Sequence, residues 1–275
     1  IPQVMDQYGN LILKAAWPQD LLYDGSRNFI GYVMPRIEAG VELFQIQRGS
    51  TSAAVQARFP NYSWRMNVVV ARNLAASVNA VHNQGYVLGD MNCKNFLVNA
   101  DGSISLLDTD SIDMTDPSTG MHYKCCVGME DYLPPELQGR NLRNPASCFT
   151  RETDNFALAV HIFQLLMNNY HPFSGRQTVV KGSSSANPKM DRIVEGKCPY
   201  LNRYSDVTIP VGAPRLEDVL PQYMIDAFRN TFDYTAFNAV AKAQSRTTAR
   251  DWLAVLKRLL REYDAVNRAF LDEQA

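Results

Sequence analysis

Apolar positions fall in short β-like runs at the start of the chain and at helical spacing further on. Leu21-Leu22-Tyr23 and Phe29-Ile30-Gly31-Tyr32-Val33-Met34 flank the turn Asp24-Gly25-Ser26, with Ala15-Ala16-Trp17-Pro18 leading in. This pattern predicts two antiparallel strands. Pro35 ends the second, because proline donates nothing to a sheet ladder. From Val41 the period changes. Residues 66–82 carry Val69, Leu74, Val78 and Val81 at helical spacing and stop before Gly85. The runs 96–98 and 104–107 flank Asn99-Ala100-Asp101-Gly102, a hairpin pattern. Residues 109–150 have no period and many turn formers, which predicts a long loop of the kind that carries function. Thr153 is expected to cap an apolar helix over residues 154–167. Residues 171–215 are loop-rich, with a tip at Gly182-Ser183-Ser184-Ser185, and helices return over 223–232 and 249–269. There is no internal repeat.

Composition narrows the class without deciding it. The 275 residues are 46% hydrophobic and 20% charged, an ordinary globular balance with enough chain to bury a large core. With 27 basic and 28 acidic residues the net charge is −1, so nothing in the total points to nucleic acid or a membrane surface. The longest apolar run, 156–167, is interrupted by His161 and Gln164 and is too short to span a bilayer. Five cysteines, an odd number without any C-x-x-C, argue against a disulfide framework or a structural zinc site. A reducing, cytoplasmic setting is the expectation. No signal peptide is visible, and a start at Ile1 favours a missing N-terminal segment.

The candidate chemistry lies in Gly85-Tyr86-Val87-Leu88-Gly89-Asp90-Met91-Asn92-Cys93-Lys94-Asn95-Phe96-Leu97-Val98, between the long helix and the hairpin. Asp90 and Asn95 are five apart, and Asp108 follows Asn95 by thirteen, at the end of the second hairpin strand. This arrangement resembles the catalytic and metal-binding loops of the protein-kinase superfamily, D-x-x-x-x-N followed by the Asp of D-F-G. Further matches keep the family's order. Pro134-Pro135-Glu136 stands where the family has A-P-E, after Val127-Gly128 and Tyr132, and Asp154 matches the buried Asp that braces the catalytic loop. His171-Pro172-Phe173 follows the apolar helix, and Arg246, before Asp251-Trp252-Leu253, matches the Arg that pairs with the A-P-E Glu, here Glu136.

The resemblance implies an α+β, protein-kinase-like fold. Residues 1–35 would be a remnant of the small β lobe with its hinge, and 36–275 a mainly helical C-lobe. It implies ATP and Mg²⁺ as cofactors, Asp90 as catalytic carboxylate, and Asn95 and Asp108 as ligands to metal and nucleotide. Asn92 takes the catalytic position two after the Asp where the family has Lys. Gly31-Tyr32-Val33-Met34-Pro35 resembles the last small-lobe strand, so backbone groups near Met34 and Arg36 would meet adenine. The implied partner is a protein or peptide substrate, Ser/Thr type by default, with no nucleic acid and no membrane segment.

Departures from the family pattern keep other readings open. No two of the 15 glycines are separated by a single residue, so no G-x-G-x-x-G exists. Leu11-Ile12-Leu13-Lys14 resembles the strand-lysine motif V-A-I-K but leaves no room for the helix that should follow. Leu88-Gly89 replaces His-Arg, and Asp108-Thr109-Asp110 replaces D-F-G. A pseudokinase scaffold is one alternative. A small-molecule kinase of the aminoglycoside or choline kinase type is another, since these share Gly-Asp-x-x-x-x-Asn and Asp-x-Asp. Taken singly, Asp90, Asn95 and Asp108 could be turn or cap residues. Asp110 is expected to be a loop residue rather than a second carboxylate at the metal. His82, His122, His161 and His171 show no ligand spacing.

Overall fold

The computed structural model describes residues 3–5, 11–37, 40–178, 187–234 and 239–272. Strands β1 (Gln3–Met5) and β2 (Leu11–Ala15) pair antiparallel, and β3 (Asp20–Tyr23) pairs with β4 (Phe29–Val33) as the expected hairpin. Asp24 builds its turn: the carboxylate accepts the Ser26 and Asn28 amides at 2.8 Å and Asn28 Nδ2 at 2.9 Å. Ala15 does not lead into this hairpin. It ends β2, whose partner lies far along the chain.

β5 (Val41–Glu42) runs into α1 (Leu43–Gln47), followed by α2 (Ala53–Arg58) and α3 (Trp64–Asn83). The long helix therefore starts two residues earlier than its periodicity suggests, and Gly85, at φ 88°, turns the chain out of it. β6 (Phe96–Val98) and β7 (Ile104–Leu106) form the second expected hairpin. β2 lies parallel to β7, placing Lys14 opposite Ser105, and β5 lies antiparallel to β6. The resulting order, β1-β2-β7-β6-β5, flanks the hairpin on both edges with segments from the first 42 residues. Thus the strand pairing that holds the hairpin is non-local in sequence.

The expected loop over 109–150 has only two short strands, β8 (Met114–Thr115) and β9 (His122–Tyr123), and one 3₁₀ turn at Glu130–Tyr132. Asp113 organises it. Its backbone pairs with Val87, Oδ2 accepts the Cys125 amide at 3.0 Å, and Oδ1 accepts His122 Nε2 at 2.7 Å.

Helix α4 (Arg151–Leu166) follows and is buried from Thr153 to Leu166. Its cap is Thr150, not Thr153. Thr153 sits at the third helical position and its hydroxyl accepts the Thr150 amide at 3.0 Å, while Thr150 Oγ1 accepts the Thr153 amide at 3.4 Å. Two threonines three apart form a reciprocal capping box, and sequence alone does not show which of the two opens the helix.

The chain continues through β10 (Arg176–Gln177), α5 (Pro188–Glu195), β11 (Val207–Thr208), α6 (Leu216–Val219), α7 (Gln222–Phe232), α8 (Ala239–Ser245) and α9 (Ala249–Asp272). The tip expected at residues 182–185 lies outside the described residues. Phe156, Phe163, Phe173, Phe228, Phe232 and Trp252 are fully buried around α4, in edge-to-face and stacked pairs. Each such ring removed from water contributes roughly 2–3 kcal/mol. The architecture is α+β, with α4 as a rigid floor beneath the loop that precedes β6. Among the described residues no helix is long and apolar enough to cross a membrane.

Candidate active site

The loop between α3 and β6 lacks regular structure, so its buried amides need side-chain acceptors. Asp154, in the first turn of α4 and 1% exposed, supplies them. Its Oδ2 accepts the Leu88 amide at 2.7 Å and His82 Nε2 at 2.9 Å, and its Oδ1 accepts the Gly89 amide at 3.0 Å. A buried carboxylate without partners would cost several kcal/mol, and these donors offset that cost while tying the loop to the helix floor. Gly89 has φ 73°, and a Cβ there would lie 2.6 Å from the Cys125 thiol. The position where the family resemblance has Arg is filled by the neighbouring segment, so only glycine fits.

Asp90, Asn95 and Asp108 come together. Asn95 Nδ2 donates to the Asp90 carbonyl at 3.1 Å and lies 3.5 Å from Asp90 Oδ2. The Asn95 carbonyl accepts the Leu107 amide at 2.8 Å, which sets Asp108 one residue beyond this bond. The Asp90 carboxyl is half-buried and raised above the usual carboxylate range by burial, against the opposing pull of Asn95. Its Oδ1 is buried, and the Met129 and Asn92 backbone amides also face the carboxyl. Asp108 is pushed up to about 6, first by its hydrogen bond to the Asp110 side chain, then by burial, with Asp90 adding to the effect. Asp110 therefore stands beside Asp108 rather than as a remote loop residue, and its exposed amide donates to Asp108 Oδ1 at 3.3 Å.

The donor set fits a hard divalent cation that keeps other ligands. Crowded carboxylates whose protonation is favoured by mutual repulsion are relieved by a positive charge between them. No three His, Cys, Asp or Glu side chains among the described residues converge closely enough to hold an ion by themselves. Two oxygen side chains completed by phosphate and water is the coordination Mg²⁺ prefers.

The remaining candidates are placed differently. Asn92 Oδ1 accepts the Lys94 amide at 3.1 Å and its carbonyl accepts the Asn95 amide at 2.9 Å, so Asn92 shapes the turn. Met34 and Arg36 are exposed and follow β4 directly; five residues past Arg36, β5 begins its pairing with β6. Arg246, whose side chain is fully buried, clasps Glu136 with two bonds of 2.6 and 2.8 Å. This anchors the Pro134-Pro135-Glu136 stretch to the start of α4, where Arg246 also donates to the Glu152 carbonyl at 3.0 Å. A groove of about 680 Å³ lined by Tyr200, Tyr204, Arg203, Arg215 and Arg229 includes none of Asp90, Asn95 and Asp108. Concavity alone does not locate the chemistry here.

Sequence reasoning did not single out Gln47, and it named Tyr132 and His161 only as a motif neighbour and as a break in an apolar run, without bringing them beside Asp90. His161 is buried, 4.3 Å from the Tyr132 ring centre, with Nε2 2.7 Å from the Met91 carbonyl and Nδ1 3.1 Å from Gln47 Nε2. The available signal was the interruption of an apolar run by His161 and Gln164.

A loop pinned to a helix floor by Asp154, an Asp–Asn–Asp cluster at the mouth of a hairpin, and an Arg–Glu clasp on the following segment define a class. Similarity to proteins named as protein kinases supports a protein-kinase-like superfamily for this chain. It is similar to Protein kinase YegI of Escherichia coli O157:H7, with 31% identity over 258 residues, 92% of this chain. It is equally similar to Protein kinase YegI of Escherichia coli strain K12, at 31% over 253 residues. The chain spans 37% of the length of these relatives. No protein-family model matches it.

Proposed function

We propose that this chain carries the phosphotransfer site of an ATP- and Mg²⁺-dependent protein kinase, Ser/Thr type. The carrying observation is the convergence of Asp90, Asn95 and Asp108, with Asn95 Nδ2 3.1 Å from the Asp90 carbonyl and 3.5 Å from its Oδ2, and the Asp90 charge acting on Asp108. In this reading Asp90 accepts or orients the proton of the substrate hydroxyl. Asn95 and Asp108 hold Mg²⁺, which when bound supplies charge neutralisation at the nucleotide phosphates. Backbone groups at Met34 and Arg36 meet the adenine edge, and the boundary between small and large lobes falls near residue 35. Asn92 contributes by fixing the turn that presents Asn95. The Arg246–Glu136 clasp supports a protein or peptide acceptor, because it anchors the segment that would lie under an extended chain.

Radiolabel transfer from ATP by the full-length protein tests this. Asp90→Asn is expected to lower transfer by about three orders of magnitude while leaving Mg²⁺-ATP binding, read as a rise in melting temperature, in place. Equal labelling by wild type and Asp90→Asn would remove Asp90 from its role. A thermal shift without transfer in either protein would favour a nucleotide-binding scaffold. Transfer to aminoglycosides or choline, but not to any peptide, would favour a small-molecule kinase.

A further inference from the structure

His161 is an anomaly in α4. From Phe156 to Met167 the helix buries apolar side chains against every neighbour, and a leucine at 161 would pack there without any polar group to satisfy. Instead an imidazole with no exposed surface has both nitrogens engaged. The Met91 oxygen can only accept, so Nε2 at 2.7 Å carries the proton, and Nδ1 accepts from Gln47 Nε2 at 3.1 Å. Gln47 also donates to Gln164 Oε1 at 3.4 Å, which leaves its own Oε1 buried and unpartnered. An uncompensated buried oxygen is unfavourable, so the Gln47 amide is held in place at an energetic loss. Burial holds the ring neutral, with its pKa pushed down to about 4.

The ring also sits where several elements meet. It stacks on Tyr132 at 4.3 Å and meets the Phe96 edge at 6.0 Å. The Tyr132 side chain also lies beside the Cys93 thiol, two residues beyond Met91. One side chain of the floor helix thus contacts α1, the loop beside Asp90, the first residue of β6 and the segment before Pro134.

We propose that His161 is a positioning residue which, by holding the Met91 carbonyl, sets where the adjacent Asp90 carboxylate stands. Asp154 fixes the loop on the N-terminal side of Asp90 through the Leu88 and Gly89 amides, and His161 fixes it on the C-terminal side. Asp90 is held between the two anchors. The inference deepens the phosphotransfer reading and rests on it.

The test compares His161→Phe with His161→Gln in the full-length protein. Phe keeps ring volume and the stack on Tyr132 but lacks the donor; Gln returns an N–H near the Nε2 position. His161→Phe is expected to lower kcat about 30-fold, with KM for ATP changed by less than about twofold, as a small misplacement of one reacting group does. His161→Gln is expected to recover about a third or more of wild-type kcat. Hydrogen exchange gives a readout independent of turnover: the amides of 88–95 should exchange about tenfold faster in His161→Phe, with α4 and α9 unchanged. Unaltered kcat in His161→Phe, or no recovery in His161→Gln, overturns the positioning role. So does loss of protection throughout α4, which would mark general packing. If wild type transfers no phosphate, the kinase reading falls, and the exchange rates of 88–95 decide alone whether His161 holds the loop.

Discussion

At Gly89 a single residue explains why the loop departs from the family pattern it otherwise resembles. Two constraints act at once, a φ of 73° and the Cys125 thiol lying where a Cβ would stand. Gly89→Ala is expected to destabilise the protein by about 1–2 kcal/mol from backbone conformation alone, with the clash adding to that. Combining it with Cys125→Ala should recover only part of the clash, because the Cys125 Cβ also lies 2.8 Å from the added carbon, and none of the backbone share, as urea denaturation of the single and double variants would show. An unchanged midpoint in Gly89→Ala would refute the constraint. The residues that sequence grouped here share a mark: Asp90, Asn95, Asp108 and Asp154 lie at spacings that a loop, a hairpin and a helix start impose. Gln47 and His161 carry no such mark, because their bond joins positions 114 apart and only packing brings them together.

Among the elements, the four longest helices and both hairpins were legible because each announces itself locally, by apolar period or by turn residues. The short helices α1, α2, α5, α6 and α8 were not, α5 lying in a stretch that reads as loop. The loop over 109–150 was legible only as a loop. Its order comes from Asp113 reaching His122 and Cys125, and from the Arg246–Glu136 clasp across 110 residues. The clasp lends itself to measurement. Removing one partner leaves a buried charge, so Glu136→Ala should cost about 3–5 kcal/mol. The pair Glu136→Leu with Arg246→Met should cost less than either single change. A double-mutant cycle in guanidinium reports this coupling, and additive losses would argue that the two side chains act separately.

On the scale of the whole molecule, acid sensitivity follows from buried histidines. His171, its Nε2 2.9 Å from the Asp131 carbonyl, is pushed down to about 4 by burial, with Lys189 adding to the effect. The unfolded chain, with an ordinary histidine value near 6.5, binds more protons between those two values. Stability from this group is therefore complete above about 6.5 and declines as pH falls towards about 4. Asp108 works against this trend, since its raised value lets the folded state bind the extra proton over the carboxylate range. Denaturation at pH 7 and pH 4.5 without divalent ions separates the two. His171→Gln should be less stable than wild type at pH 7 and should lose less on acidification, and parallel losses would rule the mechanism out. The β3–β4 hairpin exposes Leu21, Tyr23, Phe29 and Ile30 by more than half of their surface.

Sequence by itself determined the two hairpins and the four long helices, the Asp–Asn–Asp spacing, the brace at Asp154 and the Glu136–Arg246 partners. All of these are short-range periods, or motifs whose order along the chain stands in for their place in space. Tertiary structure alone decided that β2 adds in parallel to β7, that Thr150 rather than Thr153 opens α4, that Cys125 forbids a side chain at 89, and that His161 reaches Met91. Each depends on which distant surfaces meet once the core closes, and a linear pattern holds no record of that.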